Sequence, residues 1–250
     1  MLDWGLTEMI LALGITPAGV SAPDWYRKLI PQPALPSTVQ DLGLLFQPNL
    51  ETLYALKPDR IVITPQHTLL KPALEKIAPT LTLPTHGLAS FIEATRQLGD
   101  VFGRETQAQV LLNNLQSQIA HVRKVAQTVR QPVFCATPVD ALHLRLYVPG
   151  SLPGDVLAAC GLRHAWQGSR GAEGAVLVEL TSIATVDARL ILLVDDEKRD
   201  VGACSRQSAL WQRRPATSRY PMVGLAQRIG VTGAPLTAGQ FADILLSFCD

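Results

Sequence analysis

The chain has 250 residues, of which 47% are hydrophobic and 17% are charged. This composition is typical of a folded protein with a large core and excludes intrinsic disorder. Lys and Arg number 22 against 21 Asp and Glu, a formal net charge of +1, so no long-range field favours nucleic acid or an anionic membrane as a partner.

Short helices and strands alternate through the first hundred residues. Asn49 is a good N-cap for a helix, and Glu51 in its first turn complements the helix dipole. The predicted elements are a helix at 6–14, a strand at 39–42 after a Pro-rich loop, a helix at 50–56, a strand at 60–64, a helix at 69–77, a strand at 80–83 and a helix at 88–102. This alternation favours a parallel sheet covered by helices.

One long helix is predicted over residues 105–130, because this stretch runs for more than twenty residues without Pro or Gly and has apolar residues at near-helical spacing. A second series of strands and helices follows, at 132–136, 142–148, 154–159, 190–194 and 238–248. The predicted fold class is therefore α/β, with two βα lobes, 1–104 and 131–250, bridged by the single helix at 105–130.

Common catalytic and phosphate-binding motifs are absent from the sequence. It has no Gly-x-Gly-x-x-Gly, no P-loop, no Gly-x-Ser-x-Gly and no His-Glu-x-x-His. The five His never pair at helical spacing, and the four Cys lack metal-ligand spacing. We interpret the cysteines as small buried thiols, with two disulfides as the alternative. These absences favour a binding protein without a resident cofactor or metal over an enzyme.

An acidic run, Asp195-Asp196-Glu197, follows the apolar strand at 190–194. The carboxyl end of a strand is where α/β proteins place ligand or metal sites. A solvated loop is the simpler interpretation, because Lys, Arg and Asp follow directly. The rival hypothesis is a two-lobed α/β metal-dependent enzyme or chelatase that uses Asp195, Asp196 and His67.

Several segments together resemble a known family. They are residues 2–9 (LDWGLTEM), 41–43 with 47–51, 55–59, 76–79, 165–168 (AWQG) and 233–238. The set is similar to periplasmic ferric-siderophore-binding proteins that serve ABC importers, and the segment at 165–168 narrows the resemblance to the ferric-hydroxamate (ferrichrome-type) branch.

The resemblance implies a class III periplasmic binding protein, in which two lobes are bridged by one helix and the ligand lies between them. The expected function is to capture an iron(III)-siderophore, of hydroxamate type, and deliver it to an inner-membrane permease without catalysis. A periplasmic location, a monomer and no nucleic-acid partner are expected. A cobalamin or haem binder of the same fold is the nearer alternative.

The resemblance also implies where the ligand binds. The candidate ligand-binding residues are Trp4, Leu45, Phe46, His67, Arg170 and Glu173. The family commonly has Arg, Tyr and Trp where this chain has Leu45, His67 and Glu173. We therefore expect either weak binding of the ordinary ligand or binding of a different chelate, with Arg170 as the candidate to supply the missing guanidinium.

Two surface carboxylates are candidates for permease contact. Glu51 and Glu75 lie on or near predicted helices of the first lobe, where they would face Arg residues of a permease. The first residues show no secretory signal. In the family pattern Met1 falls inside the first strand, so we expect that strand and a signal peptide to precede the given chain.

Overall fold

The computed structural model describes residues 1–171, 174–194 and 233–249. They form two compact units. The first comprises residues 1–115 and 233–237, and the second comprises the described residues from 116 to 194 and 238–249. The long predicted helix begins in the first unit and ends in the second. The predicted domain limits at 104 and 131 stay predictions.

The first unit contains the predicted helices and strands in the predicted order, together with elements that were not predicted. Its elements are α1 (Trp4–Ala12), β1 (Gly19–Val20), α2 (Pro23–Leu29), β2 (Gln40–Asp41), α3 (Leu50–Leu56), β3 (Ile61–Ile63), a 3₁₀ turn (Pro65–His67), α4 (Lys71–Leu74), β4 (Thr80–Thr82), α5 (Gly87–Phe102) and the start of α6 (Glu105–Ala126). The predicted helix at 69–77 is shorter than expected. Pro72 has no N–H to donate, and helix α4 accordingly begins just before it.

Parallel pairing in this unit confirms the sequence prediction. Strand β1 pairs with β2, and β3 pairs with β4, both in parallel register. The first two residues extend between the pairs: the Ser21 N–H donates to the Met1 carbonyl at 3.1 Å, and the Leu2 N–H donates to the Val62 carbonyl at 3.1 Å. Met1 and Leu2 therefore join the two strand pairs.

The second unit contains a mixed sheet of the order β7-β6-β5-β8. Its elements are β5 (Val133–Pro138), β6 (His143–Tyr147), α7 (Leu152–Ala159), β7 (Ala175–Glu179), α8 (Leu180–Ala184), β8 (Arg189–Leu192) and α9 (Pro235–Cys249), which begins in the first unit. Strands β5 and β8 are parallel, whereas β6 is antiparallel to both β5 and β7.

The sheet of this unit is not wholly parallel, unlike the strand pairs of the first unit. Only four residues, 139–142, separate β5 from β6, too few for the crossover that parallel neighbours need. The Asp140 carboxylate holds the turn by accepting the N–H groups of Leu142 and His143, each at 2.8 Å. Strand β7 and helix α8 were not predicted.

The last helix, α9, begins against a buried carboxylate on α1. Glu8 Oε2 accepts the N–H of Ala234 at 2.8 Å, and Oε1 accepts the N–H groups of Leu236 at 2.9 Å and Thr237 at 3.2 Å. The Thr237 hydroxyl donates to Oε2. Because the first N–H groups of a helix have no partners within it, Glu8 acts as a remote N-cap for α9.

Cys135 and Cys160 are buried free thiols, as the sequence predicts, and Cys249 is partly buried. Burial raises the pKa of Cys160 to about 12. Cys204 lies outside the described residues. Within the described ranges, no helix combines the length and the apolar character that crossing a membrane requires.

Candidate ligand-binding site

An apolar pocket of about 620 Å³ lies in the first unit. Its lining residues are Trp4, Ala22, Trp25, Leu29, Leu44, Leu45, Phe46 and Gln47. None of them is charged, and Gln47 is the polar member. Trp25 and Phe46 are 53% and 57% exposed, and exposed aromatic surface concentrated in a concavity is typical of a binding site.

The first wall of the pocket is Trp4, at the start of α1. Asp3 is the N-cap of this helix, and its Oδ1 accepts the N–H of Leu6 at 2.9 Å. The Trp4 indole Nε1–H donates to the Ser21 carbonyl at 3.1 Å. The indole is therefore fixed at its polar atom, while its ring lines the pocket.

The second wall is helix α2. Ala22 precedes the helix with a φ of +48°, and its N–H donates to the Gly43 carbonyl at 2.7 Å. Pro23 occupies the first turn, where its missing N–H costs nothing. Trp25 projects from this turn, and the Lys28 ammonium lies 5.3 Å from the centre of its ring.

The third wall is the loop tip Leu44–Gln47. Gly43 enters the loop with a φ of +85°, and a Cβ there would lie 3.2 Å from the Asn49 nitrogen, so glycine suits the position. The Asp41 Oδ1 accepts the Gly43 N–H at 2.8 Å, and the Asn49 N–H donates to the Leu42 carbonyl at 2.7 Å. The base of the loop is thus closed by hydrogen bonds.

His67 lies behind this loop and is buried. Its Nε2 is 2.8 Å from the Leu45 carbonyl oxygen, and its Nδ1 is 3.3 Å from the Thr64 backbone nitrogen and 3.0 Å from the Thr64 hydroxyl. The ring stacks on Phe46 with centroids 5.6 Å apart. Both ring nitrogens therefore bond to protein groups, and His67 does not line the pocket.

The pocket brings together three of the six predicted ligand-binding residues, namely Trp4, Leu45 and Phe46. Arg170 is exposed in the second unit, and Glu173 lies outside the described residues. Their roles in binding stay predictions.

Sequence reasoning missed five lining residues, Ala22, Trp25, Leu29, Leu44 and Gln47. The sequence does contain a local signal for the helix that carries Trp25. Pro23 followed by Asp24 is a pattern typical of a helix start, and it points to a helix that carries Trp25.

The predicted permease contacts, Glu51 and Glu75, are both exposed on the first unit. Glu51 lies in the first turn of α3. Glu75 follows α4, and its carboxylate lies 3.7 Å from the Lys71 ammonium. At this exposure the ion pair contributes little to stability, so both carboxylates are accessible to a partner.

The described residues do not form the metal site of the rival hypothesis. Asp195 and Asp196 lie outside them, and both nitrogens of His67 already have protein partners. Within the described ranges, no three His, Cys, Asp or Glu side chains come close enough together to hold a metal ion.

Comparison with known proteins identifies relatives along nearly the whole chain. The family model described as "Periplasmic binding protein" matches residues 1–218. The iron(3+)-hydroxamate-binding protein FhuD of Escherichia coli (strain K12) is 28% identical over 253 residues, covering 98% of this chain and 84% of the relative. The achromobactin-binding periplasmic protein of Dickeya dadantii (strain 3937) is 35% identical over 201 residues, covering 76% of this chain and 64% of the relative.

Solved structures support the same fold. The crystal structure of the siderophore-binding protein FhuD from Vibrio cholerae, bound to Fe³⁺-Desferal, superposes with a TM-score of 0.86. The two chains are 25% identical, and the match covers 98% of this chain and 95% of the other.

Proposed function

The chain belongs to the periplasmic binding protein family, and from that premise we propose that it is the substrate-binding component of an ABC importer. It captures an iron(III)-siderophore, of hydroxamate type, and delivers it to an inner-membrane permease. It performs no chemistry on the ligand. It acts in the periplasm as a monomer, and nucleic acid is not among its partners.

The observation that carries this proposal is the apolar pocket walled by Trp4, Trp25 and Phe46. Relatives named for binding iron(3+)-hydroxamate and achromobactin support the ligand class. Aromatic side chains provide large contact surfaces at a low cost in conformational entropy. A pocket open to solvent and already lined with such surfaces suits capture of a ligand.

The lining chemistry indicates which part of the chelate this wall holds. Among the residues that the structure describes, no guanidinium or ammonium lines the pocket, and Leu45 occupies the position where the family commonly has an Arg. An apolar wall does not satisfy the hard oxygen atoms around iron, because unpaired polar groups are costly to desolvate. We therefore assign to it the hydrocarbon or aryl arms of the siderophore rather than its iron-oxygen core.

The proposal predicts that ferric hydroxamates quench the tryptophan fluorescence of the protein, since Trp4 and Trp25 line the pocket. Replacing Phe46 with Ala removes apolar contact from one wall and is expected to weaken binding by about tenfold. Titrations with ferrichrome and ferrioxamine B, checked by calorimetry, measure both effects.

The matched control is Leu69→Ala. Leu69 is a 95% exposed apolar residue of the same unit and does not line the pocket, so its removal should leave the affinity unchanged. A panel of hydroxamate, carboxylate and catecholate iron chelates that all fail to bind would refute the proposed function. Binding of haem or cobalamin alone would replace it with the alternative ligand class.

A separate prediction concerns the permease. Reversing both charges, in the variant Glu51→Arg with Glu75→Arg, should leave chelate binding unchanged and reduce uptake into vesicles that contain the permease by about tenfold, because like charges would oppose docking. Glu93→Arg is the control, since Glu93 is exposed on α5 and its carboxylate contacts two residues of the same helix, Arg96 at 3.6 Å and the Gln97 amide at 2.9 Å. Equal uptake by all three proteins would place the docking surface elsewhere.

A further inference from the structure

The geometry points to His67 as a positioning residue: we propose that its neutral imidazole, with the proton on Nε2, holds the Leu44–Gln47 loop tip in place as the third wall of the pocket. This inference rests on the proposed function for its effect on ligand binding. The state of the ring and the position of the loop are testable without a ligand.

The hydrogen bonds determine where the ring proton lies. The Thr64 backbone N–H is always a donor and lies 3.3 Å from His67 Nδ1, so Nδ1 is the acceptor. In a neutral imidazole the other nitrogen then carries the proton. Nε2–H therefore donates to the Leu45 carbonyl oxygen at 2.8 Å.

Thr64 gives this arrangement a rigid support. It follows strand β3 directly and is buried, and its backbone carbonyl accepts the His67 N–H at 3.0 Å. The Thr64 hydroxyl lies 3.0 Å from the same Nδ1. A ring whose Nδ1 contacts both the backbone and the side chain of Thr64 has little rotational freedom, so Nε2 presents a fixed donor to the loop.

The loop tip depends on that donor. Leu45 and Phe46 lie between the hydrogen-bonded base of the loop and solvent, and Phe46 is 57% exposed. Two contacts join Leu45 and Phe46 to the buried turn that carries His67. They are the hydrogen bond from Nε2 to the Leu45 carbonyl and the stacking of the His67 ring on Phe46, with an interplanar angle of 27°. Without them, the third wall would lose its connection to strand β3.

Three substitutions separate the hydrogen bond to Leu45 from other effects. His67→Gln places an amide donor near the position of Nε2, whereas the shorter His67→Asn side chain reaches only the position of Nδ1. His67→Phe keeps an aromatic ring against Phe46 and removes the hydrogen bonds of the ring to Thr64 and Leu45. We expect His67→Gln to bind ferric hydroxamates within about threefold of the wild type, and the other two variants to bind at least about tenfold more weakly.

General destabilisation is controlled by Thr95→Ala. Thr95 is buried in α5, its hydroxyl donates to the Phe91 carbonyl at 2.7 Å, and it does not line the pocket. This variant should lower the melting temperature without changing the affinity. If His67→Gln and His67→Asn have comparable melting temperatures and only His67→Gln keeps the affinity, His67 positions the loop and does not merely stabilise the fold.

The ligand-free test is nuclear magnetic resonance of ¹⁵N-labelled protein. We expect the chemical shifts of the two His67 ring nitrogens to be those of the Nε2–H tautomer. We also expect the amide signals of residues 44–47 to shift or broaden in His67→Asn and His67→Phe but not in His67→Gln. A proton on Nδ1, or unchanged loop signals and affinities in all three variants, would overturn the inference. If no chelate binds the wild type while the loop responds as expected, the proposed function fails and the positioning role stands.

Discussion

Replacing Glu8 with Ala is expected to lower the free energy of unfolding by about 3 to 5 kcal/mol. The change leaves four donors without this acceptor, namely the Thr237 hydroxyl and three backbone N–H groups, of which the Leu236 N–H is only partly buried. Each unsatisfied buried donor costs about 1 to 3 kcal/mol, and water entering the vacated space offsets part of the sum. Chemical denaturation followed by circular dichroism measures the loss.

Two further variants are expected to lose less stability than Glu8→Ala. Glu8→Gln keeps one carbonyl acceptor and should lose less stability than Glu8→Ala. Thr237→Val removes a single donor and should cost about 1 kcal/mol. Burial raises the pKa of the Glu8 carboxyl, and the four donors act in the opposite direction. A free energy of unfolding for Glu8→Ala within about 0.5 kcal/mol of the wild type would mean that α9 begins equally well without this remote N-cap.

Protein prepared with Met1 as its first residue is expected to lose up to about 4 kcal/mol of stability between pH 8 and pH 5 through its terminal amine alone. The terminal amine donates to the Gly19 carbonyl at 2.9 Å, and burial lowers its pKa to about 5, with Asp3 opposing the shift. The unfolded amine has a pKa near 8, so in this window the unfolded chain binds a proton that the folded chain does not. Stability contributed by the neutral amine is therefore fully present above pH 8 and is lost as the pH falls toward 5.

Nα-acetylation provides the matched control, because it removes the charge and leaves every side chain in place. A cavity of about 400 Å³ beside Met1, lined by residues 15–19 and 56–62 among others, has room for the acetyl group. The acetylated protein should keep more of its melting temperature at pH 5. His164, whose pKa burial also lowers, titrates in both proteins and cancels in the comparison. Parallel pH profiles for the two proteins would contradict the prediction.

Elements with strong local signals were predicted well from the sequence. Helix α3 begins and ends where the sequence predicts, because Asn49 caps it and its side chain accepts the Thr52 N–H at 3.0 Å. The long helix α6 begins at Glu105 as predicted and ends at Ala126, four residues before the predicted limit. Neither Pro nor Gly interrupts it, and its apolar residues recur with helical spacing.

The site was predicted only in part, because its geometry depends on residues far apart in the chain. No helix was predicted between residues 14 and 39, yet α2 lies there and carries Trp25 into the same pocket as Phe46. His67 was predicted to contact the ligand because it occupies the position where the family commonly has a Tyr and because an imidazole can donate a hydrogen bond. Its bond to the Leu45 carbonyl spans 22 residues of sequence, and no local pattern indicates such a contact.

The sequence by itself determined the α/β class and the order of most elements, because caps, breakers and hydrophobic spacing act within a few residues of one another. The three predicted residues that line the pocket were implied by the resemblance to a known family and not by these local patterns. The tertiary structure alone decided the antiparallel placement of β6, the burial of His67 behind the loop and the capping of α9 by Glu8. The Glu8 contacts join residues 226 to 229 positions apart. Contacts of that range form only when the packed core brings their partners together, so they leave no periodic trace in the chain.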